Sequence, residues 1–295
     1  MDKGYAHPEY IVDTDWLAAH LEDEHVRVFD CTTILKPVDQ GAYEVISGQA
    51  GYDAGHIPGA GYLDLGGELS DKSTNLRFMM PMPEQFDGVV GAKGIGNASR
   101  VILYSKTSPM WATRLWWMFR AFGHEDVAVL DGGFAKWEAE GRPVSTAPST
   151  YPAQVFTAQP RYDMFTDKDG VLSAIDDSDT CLINNLSESA HDGTAKVNYG
   201  RPGRIKSSVN VPYASLTDEQ GCLLPADALR ERFRGVGALD TDHVVTYCGG
   251  GIAATLGAYA LTMIGKEDVA VYDGSLGEWA NQPELPMERG QRRFA

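Results

Sequence analysis

The strongest constraint on the fold is that the second half of the chain repeats the first. The segment AFGHEDVAVLDGGFAKW at 121–137 returns as MIGKEDVAVYDGSLGEW at 263–279, with EDVAV identical and Asp, Gly and Trp at matching offsets. A matching pair of apolar runs precedes these segments, RVILYS at 100–105 and HVVTYC at 243–248. Self-similarity of this kind indicates a duplicated structural unit. The sequence therefore predicts two copies of one domain.

Each copy alternates short apolar runs with helix-forming stretches. In the first copy, runs at 26–29, 101–104 and 127–130 are separated by helical patterns at 83–90 and 110–122. This alternation predicts an α/β fold in which a mostly parallel sheet carries helices on both faces. The tryptophans and phenylalanines within 110–122 suit a helix that is packed on both sides, at the contact between the two domains.

The domain boundaries follow from composition. Residues 144–160 are rich in Pro, Ser, Thr and Ala and have no apolar period, so we interpret them as a linker. They separate an N-terminal domain at 1–143 from a C-terminal domain at 161–295. A chain of 295 residues is long enough for each domain to bury its own core.

Charge and hydropathy exclude some classes of partner. With 25 basic and 41 acidic side chains, the net charge of -16 should repel nucleic acid and anionic membrane surfaces. No apolar run approaches the roughly 18 residues that a membrane span needs. The N-terminal residues lack the basic end and apolar core of a secretory signal, so a cytoplasmic location is expected.

The residue with the clearest chemical potential is Cys248, which ends the apolar run at 243–248. Three glycines follow it before a helical stretch, so the cysteine lies in a strand-to-helix loop. Glycines remove the β-carbons that would block a curled backbone, and successive N–H groups can then turn toward the sulfur. These amides and the positive end of the following helix favour the thiolate. The predicted site comprises the nucleophile Cys248 and a cradle of Gly249, Gly250, Gly251, Ile252, Ala253 and Ala254.

The cysteine loop has other possible interpretations besides a nucleophilic site. A cysteine beside a tight turn can be a small buried hydrophobic residue. A phosphate-binding loop would continue into Lys-Ser/Thr, and a phosphatase loop would end in arginine, but 249–255 contains neither. The remaining cysteines form no C-x-x-C pair and have no histidine cluster nearby, so no metal site is predicted; they are Cys31, Cys181 and Cys222.

The order of these motifs resembles the tandem-domain rhodanese-like sulfurtransferases, which include thiosulfate and 3-mercaptopyruvate sulfurtransferases. The resemblance rests on GHIPGA at 55–60, on DGG-x-x-x-W and DGS-x-x-x-W near the ends of the two copies, and on the cysteine loop. It implies that only the C-terminal domain is catalytic, and Ser105 stands at the position matching Cys248. It also implies a relay in which the cysteine takes sulfur from a small anionic donor as a persulfide. A thiol, cyanide or thioredoxin-like acceptor then receives the sulfur, and no metal or organic cofactor is needed.

Two departures from the family pattern bear on the donor. The family loop commonly reads Cys-Arg-Lys-Gly-Val-Thr or Cys-Gly-Ser-Gly-Val-Thr, whereas this loop has neither the cations nor the serine. Without the loop cations, a doubly charged thiosulfate loses more electrostatic stabilisation than a carbonyl-bearing monoanion does. A mercaptopyruvate-like donor is therefore favoured. Asn184 also stands where the family has aspartate, and no arginine follows it. We therefore predict that Arg201 or Arg204 binds the donor carboxylate.

A second functional class stays open at this point. The missing charges are also compatible with a persulfide carrier or a regulatory binding module that does not turn over small donors.

Overall fold

The computed structural model describes residues 3–36, 38 and 43–290. Each half of the chain forms a five-stranded parallel sheet with helices packed against it. This arrangement confirms the predicted fold class of two α/β domains in tandem.

The N-terminal half supplies the first sheet. Its strands are β1 (Ile11–Val12), β2 (Val26–Asp30), β3 (Thr33–Lys36), β4 (Glu44–Ser47), β5 (Gly61–Tyr62), β6 (Arg100–Tyr104) and β7 (Val127–Leu130). The parallel sheet has the order β1-β7-β6-β2-β5, and β3 and β4 form a separate antiparallel pair. Its helices are α1 (Thr14–His20), α2 (Gln49–Ala54), α3 (Pro83–Ala92), α4 (Pro109–Ala121) and α5 (Gly133–Ala139).

The C-terminal half repeats this plan. Its strands are β8 (Phe165–Thr166), β9 (Thr180–Asn184), β10 (Arg204–Ile205), β11 (Val209–Asn210), β12 (His243–Tyr247), β13 (Val269–Tyr272) and β14 (Met287–Glu288). The sheet order is β11-β9-β12-β13-β8, and β10 pairs with β14 outside it. Its helices are α6 (Lys168–Ala174), α7 (Glu188–His191), α8 (Ala226–Arg234), α9 (Ala253–Met263) and α10 (Ser275–Trp279).

The two sheets have the same register, which confirms the duplication. Asp30 of β2 pairs with Tyr104 of β6, and Asn184 of β9 pairs with Tyr247 of β12 at the same position. Each of these tyrosines accepts a backbone N–H through its hydroxyl, from residues 57 and 205, which the sequence repeat also matches. The repeated apolar runs are thus equivalent central strands.

The two halves are joined by their equivalent helices α4 and α9, which pack against each other. Where they meet, the hydroxyl oxygens of Thr113 and Thr255 are 3.2 Å apart. The Trp116 ring lies edge-on to Tyr259 at 4.7 Å between centroids. This contact confirms that the tryptophan-rich helix lies between the domains. Although both helices are apolar, no helix in the described part of the chain is long enough to span a membrane.

The segment 144–160 lies along the N-terminal domain. It contains no helix, and Ser145 forms an isolated bridge with His56. Further on, the Tyr151 hydroxyl accepts the amide of Val28, and the Gln154 amide donates to the Gly91 carbonyl. The stretch interpreted as a linker is therefore an extended segment held by hydrogen bonds to the first domain.

Candidate active site at the domain interface

Cys248 directly follows β12, the central strand of the second sheet, and α9 begins five residues later at Ala253. In parallel α/β sheets, ligands bind at the carboxyl ends of the strands. The predicted nucleophile and the predicted cradle residues 249–254 therefore share one loop and the first turn of one helix, at the edge of the sheet where a site is expected.

The side chain of Cys248 is more deeply placed than a reactive cysteine usually is. It is 2% exposed and belongs to the main apolar core, whereas reactive cysteines tend to be partly accessible. The Tyr199 ring lies against the loop: a β-carbon at residue 249 would be 2.0 Å from its Cζ atom and 2.4 Å from its hydroxyl oxygen. The Tyr199 side chain therefore packs directly against the loop that carries the sulfur.

Ser275 holds the loop from below. Its hydroxyl accepts the amides of Cys248 and Gly251, both at 3.1 Å, and donates to the Tyr272 carbonyl at 2.8 Å. Ser275 adopts a left-handed backbone conformation with φ +49°, which costs about 1–3 kcal/mol for a residue other than glycine. One of the amides that the sequence assigned to the sulfur, that of Gly251, is thus committed to Ser275 instead.

Other amides of the loop have no protein acceptor. Among the described residues, the N–H groups of Gly249, Gly250 and Ile252 make no hydrogen bond to the protein. The first-turn amides of α9 at Ala253 and Ala254 also lack intrahelical acceptors, as helix geometry requires. These groups are the ones available to an anion beside the loop.

The three glycines differ in what a β-carbon would meet at their positions. A β-carbon at Gly249 would collide with Tyr199, whereas one at Gly250 would meet its nearest neighbours only at 3.9 Å. Gly251 has φ +73°, and a β-carbon there would lie 2.9 Å from the Asp273 carbonyl oxygen. The sequence explained all three by a curling backbone, but only Gly251 has the left-handed conformation that this implies.

A buried ion pair links the loop to the N-terminal domain. Arg114 of α4 lies 2.7 Å from the Asp273 carboxylate, and neither side chain is more than 9% exposed. Arg114 also donates to the carbonyls of Gly251 and Phe78, and Asp273 accepts the amide of Met80 at 2.8 Å. These bonds from Arg114 and Asp273 therefore hold the cysteine loop and the segment 78–80 in fixed positions next to each other.

A cavity of about 520 Å³ opens over this loop, between the two domains. Its floor includes Gly249, Gly250, Ile252 and Ala253. The N-terminal domain contributes Leu35, Tyr43, Asn75, Leu76, Arg77, Phe78 and Met110; the C-terminal domain adds Leu186, Asn198, Tyr199, Gly200, Tyr213, Gly274, Gly277 and Asn281. The walls are thus aromatic and apolar, with a few polar groups.

Two phenols of this cavity are coupled electrostatically to the cysteine. Burial raises the pKa of the Tyr199 hydroxyl, and the nearby charge of Cys248 raises it further. The pKa of Tyr213 is raised by burial and by the neighbouring Tyr43 and Cys248. Both phenols therefore stay protonated at neutral pH and can donate hydrogen bonds within the cavity.

Comparison with known proteins places this site in a family. The Rhodanese-like domain model matches residues 13–140 and 181–282, which is most of each half. The chain belongs to the tandem-domain rhodanese-like sulfurtransferases. It is 34% identical to thiosulfate/3-mercaptopyruvate sulfurtransferase 2 of Arabidopsis thaliana, over 95% of this chain and 86% of that protein.

Two further relatives extend this result. The rhodanese-like chain is 31% identical to the sulfur carrier protein TtuD of Thermus thermophilus, over 98% of this chain and 99% of that one. The crystal structure of the 3-mercaptopyruvate sulfotransferase SseA from Escherichia coli matches with a TM-score of 0.80 and 30% identity, covering 90% of this chain and 98% of SseA. The two-domain architecture and the sulfurtransferase class are thus shared across the full length.

The expected donor-binding role of Arg201 and Arg204 stays a prediction, and the contacts of both residues do not support it. Neither residue lines the cavity. The guanidinium of Arg201 donates to the carbonyls of residues 279, 280, 282 and 285. Arg204 is buried, lies 3.2 Å from the Glu288 carboxylate and donates to the Gly290 carbonyl. Both arginines anchor the C-terminal segment, because β10 pairs with β14 next to them.

Asn184, the second departure from the rhodanese pattern, retains a structural role. Its Oδ1 atom accepts the amide of Leu186 at 2.9 Å, and Asp30 at the equivalent position accepts the amide of Thr32 at 2.8 Å. An amide oxygen shapes this turn as well as a carboxylate oxygen does, since both accept the same N–H bond. The change from Asp to Asn thus leaves the turn intact.

Sequence reasoning missed the residues that other segments bring to the loop. Arg77, Arg114 and Tyr199 lie in stretches that carry no family motif, and the aspartate of the DGS motif, Asp273, was not assigned to the site. The pairing of DGG with DGS offered one signal, since it places Ser275 where the first copy has Gly133. In the described residues, no cluster of three or more His, Cys, Asp or Glu side chains could hold a metal ion.

Proposed function

We propose that this sulfurtransferase transfers a sulfane sulfur from a small anionic donor to a thiol or cyanide acceptor through a persulfide on Cys248. We also propose that a mercaptopyruvate-like donor is preferred over thiosulfate. The observation that carries the proposal is that Cys248 lies on a loop that borders a cavity large enough for a small donor and that has amides without a protein acceptor among the described residues.

The transfer needs two displacement steps at sulfur. The Cys248 thiolate attacks the donor sulfur, the carbon–sulfur bond of mercaptopyruvate breaks, and the electron pair remains on the enolate of pyruvate, which then takes a proton. An acceptor thiolate or cyanide next attacks the outer sulfur of the persulfide. The sulfur–sulfur bond breaks, and its electrons return to Cys248 as a thiolate.

The surroundings of the loop support each step. The amides of Gly249, Gly250 and Ile252 have no acceptor in the described protein and can stabilise first the thiolate and then the anionic outer sulfur. The Tyr199 hydroxyl, which its raised pKa keeps protonated, is the group that we expect to donate to the enolate oxygen. It replaces the hydroxyl that the loop lacks at Gly250.

The preference for the donor follows from charge. Of the residues that line the cavity, only Arg77 carries a positive charge. A monoanion with a carbonyl group needs one cation and some hydrogen-bond donors, whereas a dianion brought out of water needs more compensating charge. Steady-state rates with mercaptopyruvate and thiosulfate, measured side by side, test this preference. A higher kcat/KM for thiosulfate would contradict it.

The persulfide is tested by intact mass. After incubation with 3-mercaptopyruvate and removal of the donor, the protein should gain the mass of one sulfur atom, and Cys248→Ser should not. Cys222→Ser is the matched control. Burial raises the pKa of the Cys222 thiol to about 11, so this thiol should not react, and the Cys222→Ser protein should gain one sulfur atom as the wild type does. A mass gain that persists in Cys248→Ser would overturn the proposal.

A persulfide carrier is the second candidate. The 2% exposure of Cys248 and the similarity to a sulfur carrier protein favour slow release of the sulfur. Multiple turnovers with cyanide or a small thiol identify the enzyme. One stoichiometric loading followed by transfer only to a thioredoxin-like protein identifies the carrier. The cytoplasmic location expected from the N-terminus stays a prediction.

A further inference from the structure

The cavity contains one positively charged lining residue, and it comes from the domain that lacks the cysteine. Arg77 lies between Leu76 and Phe78 on the N-terminal wall, opposite the loop of the C-terminal domain. Its carbonyl oxygen would be 3.9 Å from a β-carbon at Gly250, so the Arg77 backbone lies directly beside the cysteine loop.

The Arg77 side chain extends toward the aromatic wall. Its guanidinium donates to the Tyr43 carbonyl, and its positive charge acts on the hydroxyl of Tyr199, which also senses the charge of Cys248. Tyr199 therefore lies within electrostatic range of both the cation and the cysteine. A guanidinium has five N–H donors, and one bond to a carbonyl leaves most of them available for a ligand.

The backbone around Arg77 is fixed, although its side chain is exposed. The buried Arg114 binds the Phe78 carbonyl, and Asp273 binds the Met80 amide. These bonds fix the segment that carries Arg77 relative to the cysteine loop, because Arg114 also binds the Gly251 carbonyl. The position of the cation is thus preorganised, which lowers the cost of binding a ligand.

Four other cations, two of which the sequence assigned to the donor, are committed elsewhere. Arg114 is paired with Asp273, and the ammonium group of Lys106 donates to the carbonyls of Gly51 and Gly55, both at 2.7 Å. Arg201 and Arg204 bind the C-terminal segment. A donor anion in the cavity would therefore meet Arg77.

We propose that Arg77 binds the anionic group of the sulfur donor, so that the N-terminal domain determines donor specificity for chemistry on the C-terminal domain. The inference rests on the proposed function and assigns a substrate class to it: small thiols with one carboxylate close to the sulfur. Guanidinium and carboxylate form two parallel hydrogen bonds, which orients the donor as well as binding it.

The test compares Arg77→Met and Arg77→Lys with the wild type on two donors. One donor is 3-mercaptopyruvate, and the other is its methyl ester, which has the same sulfur and carbonyl but no charge. For the anion, Arg77→Met should raise KM about 10- to 100-fold with kcat nearly unchanged, and Arg77→Lys should recover part of the loss. For the ester, all three proteins should have similar KM values.

Arg230→Met is the matched control for loss of one positive charge, since Arg230 pairs with exposed Asp227 away from the cavity. It should leave KM for both donors unchanged. Rising salt should increase KM of the wild type more than that of Arg77→Met.

The outcomes separate the two proposals. Equal KM values for the anion in wild type and Arg77→Met would overturn the role of Arg77, while persulfide formation on Cys248 would leave the proposed function intact. An equal rise of KM for the ester would also overturn it, because the effect would then be steric. Absence of a Cys248 persulfide with either donor in the wild type would remove the proposed function, and this inference with it.

Discussion

The loop at Ser105 and the loop at Cys248 occupy equivalent places in the two halves, yet their backbone amides have different partners. Both follow the central strand of their sheet. The first carbonyl of each loop accepts an amide from the following DG-containing turn, Ser105 from Phe134 and Cys248 from Leu276, each at 3.1 Å. The framework is thus the same on both sides.

The two loops differ in the groups that accept hydrogen bonds from their backbone amides. In the first loop, the Lys106 amide donates to the Thr32 hydroxyl and the Thr107 amide donates to the Ser105 hydroxyl. In the second loop, Leu186 and Cys248 stand at the positions of these two hydroxyl acceptors, and the amides of Gly249, Gly250 and Ile252 have no partner in the described protein. Unpaired buried donors are costly, so these amides indicate a place for an anion. The two loops thus differ by more than the exchange of a serine for a cysteine.

Exchanging the nucleophiles is the strongest test of this difference. Cys248→Ser should reduce sulfur transfer by about a thousandfold or more, since it removes the attacking atom. Adding Ser105→Cys to that variant should restore nothing, because the first loop has used its amides internally. Single-turnover persulfide formation followed by intact mass measures both. A double variant that regains the persulfide on residue 105 at a comparable rate would show that the loops are interchangeable.

Removing the cation that pairs with each of the two equivalent aspartates should give the next largest effect. Arg114→Met leaves the Asp273 carboxylate buried without its partner and should lower the free energy of unfolding by about 3–5 kcal/mol. The equivalent carboxylate in the first half, Asp131, pairs with Lys3, which is 28% exposed. Lys3→Met should therefore cost less than about 1 kcal/mol. Urea unfolding of both variants gives the comparison, and similar losses would contradict it.

Two neighbouring glycines provide a finer test of the catalytic loop. Gly249→Ala should destabilise the protein by about 1–3 kcal/mol and slow sulfur transfer, because the new methyl group overlaps the Tyr199 ring. Gly250→Ala meets no close neighbour and should change stability by less than about 0.5 kcal/mol. In a Tyr199→Ala background, Gly249→Ala should become tolerated. If both alanine substitutions lower the stability of the otherwise wild-type protein equally, contact with Tyr199 does not explain the need for Gly249.

The smallest effect concerns the matched positions His124 and Lys266. Burial lowers the pKa of His124, so the unfolded chain binds more protons there once the pH falls below the unfolded value of about 6.5. Stability should therefore be fully present above that pH and decline below it, by at most about 1.4 kcal/mol for each unit of lowering. At the matched position, Lys266 donates to the Asp242 carbonyl at 2.8 Å.

Urea unfolding at about pH 5 and about pH 8 measures this contribution. His124→Leu should lose less stability on acidification than the wild type. An equal loss in both proteins would assign the pH dependence to other groups.

Much of the fold could be predicted from the sequence because a sequence duplication implies two copies of one structural unit. Apolar runs that recur with the same spacing predicted equivalent strands, and the register of Asp30 and Asn184 bears this out. The position of Cys248 after a central strand also followed, since a strand followed by glycines and a helix has one place in such a sheet. The helix at 110–122 was identified as interdomain because its apolar residues cover its whole circumference.

The composition of the site could be predicted only in part, because it is assembled from segments far apart in the chain. Arg201 and Arg204 were chosen for their nearness to a family motif, but the pairing of β10 with β14 turns them toward the chain end. Arg114 is a charged residue within a largely apolar helix, and the local sequence does not show that it pairs with Asp273 of the second domain. The role of Gly249 depends on Tyr199, fifty residues earlier, and no local pattern reveals such a contact.

The bond from Arg114 to the Gly251 carbonyl makes the second half depend on the first for its local structure. A C-terminal fragment that begins at residue 161 would contain Cys248, but its Gly251 carbonyl and Asp273 carboxylate would both lose Arg114 as a partner. Separate expression of the two halves should therefore yield a C-terminal fragment whose cysteine loop is less ordered than in the intact chain.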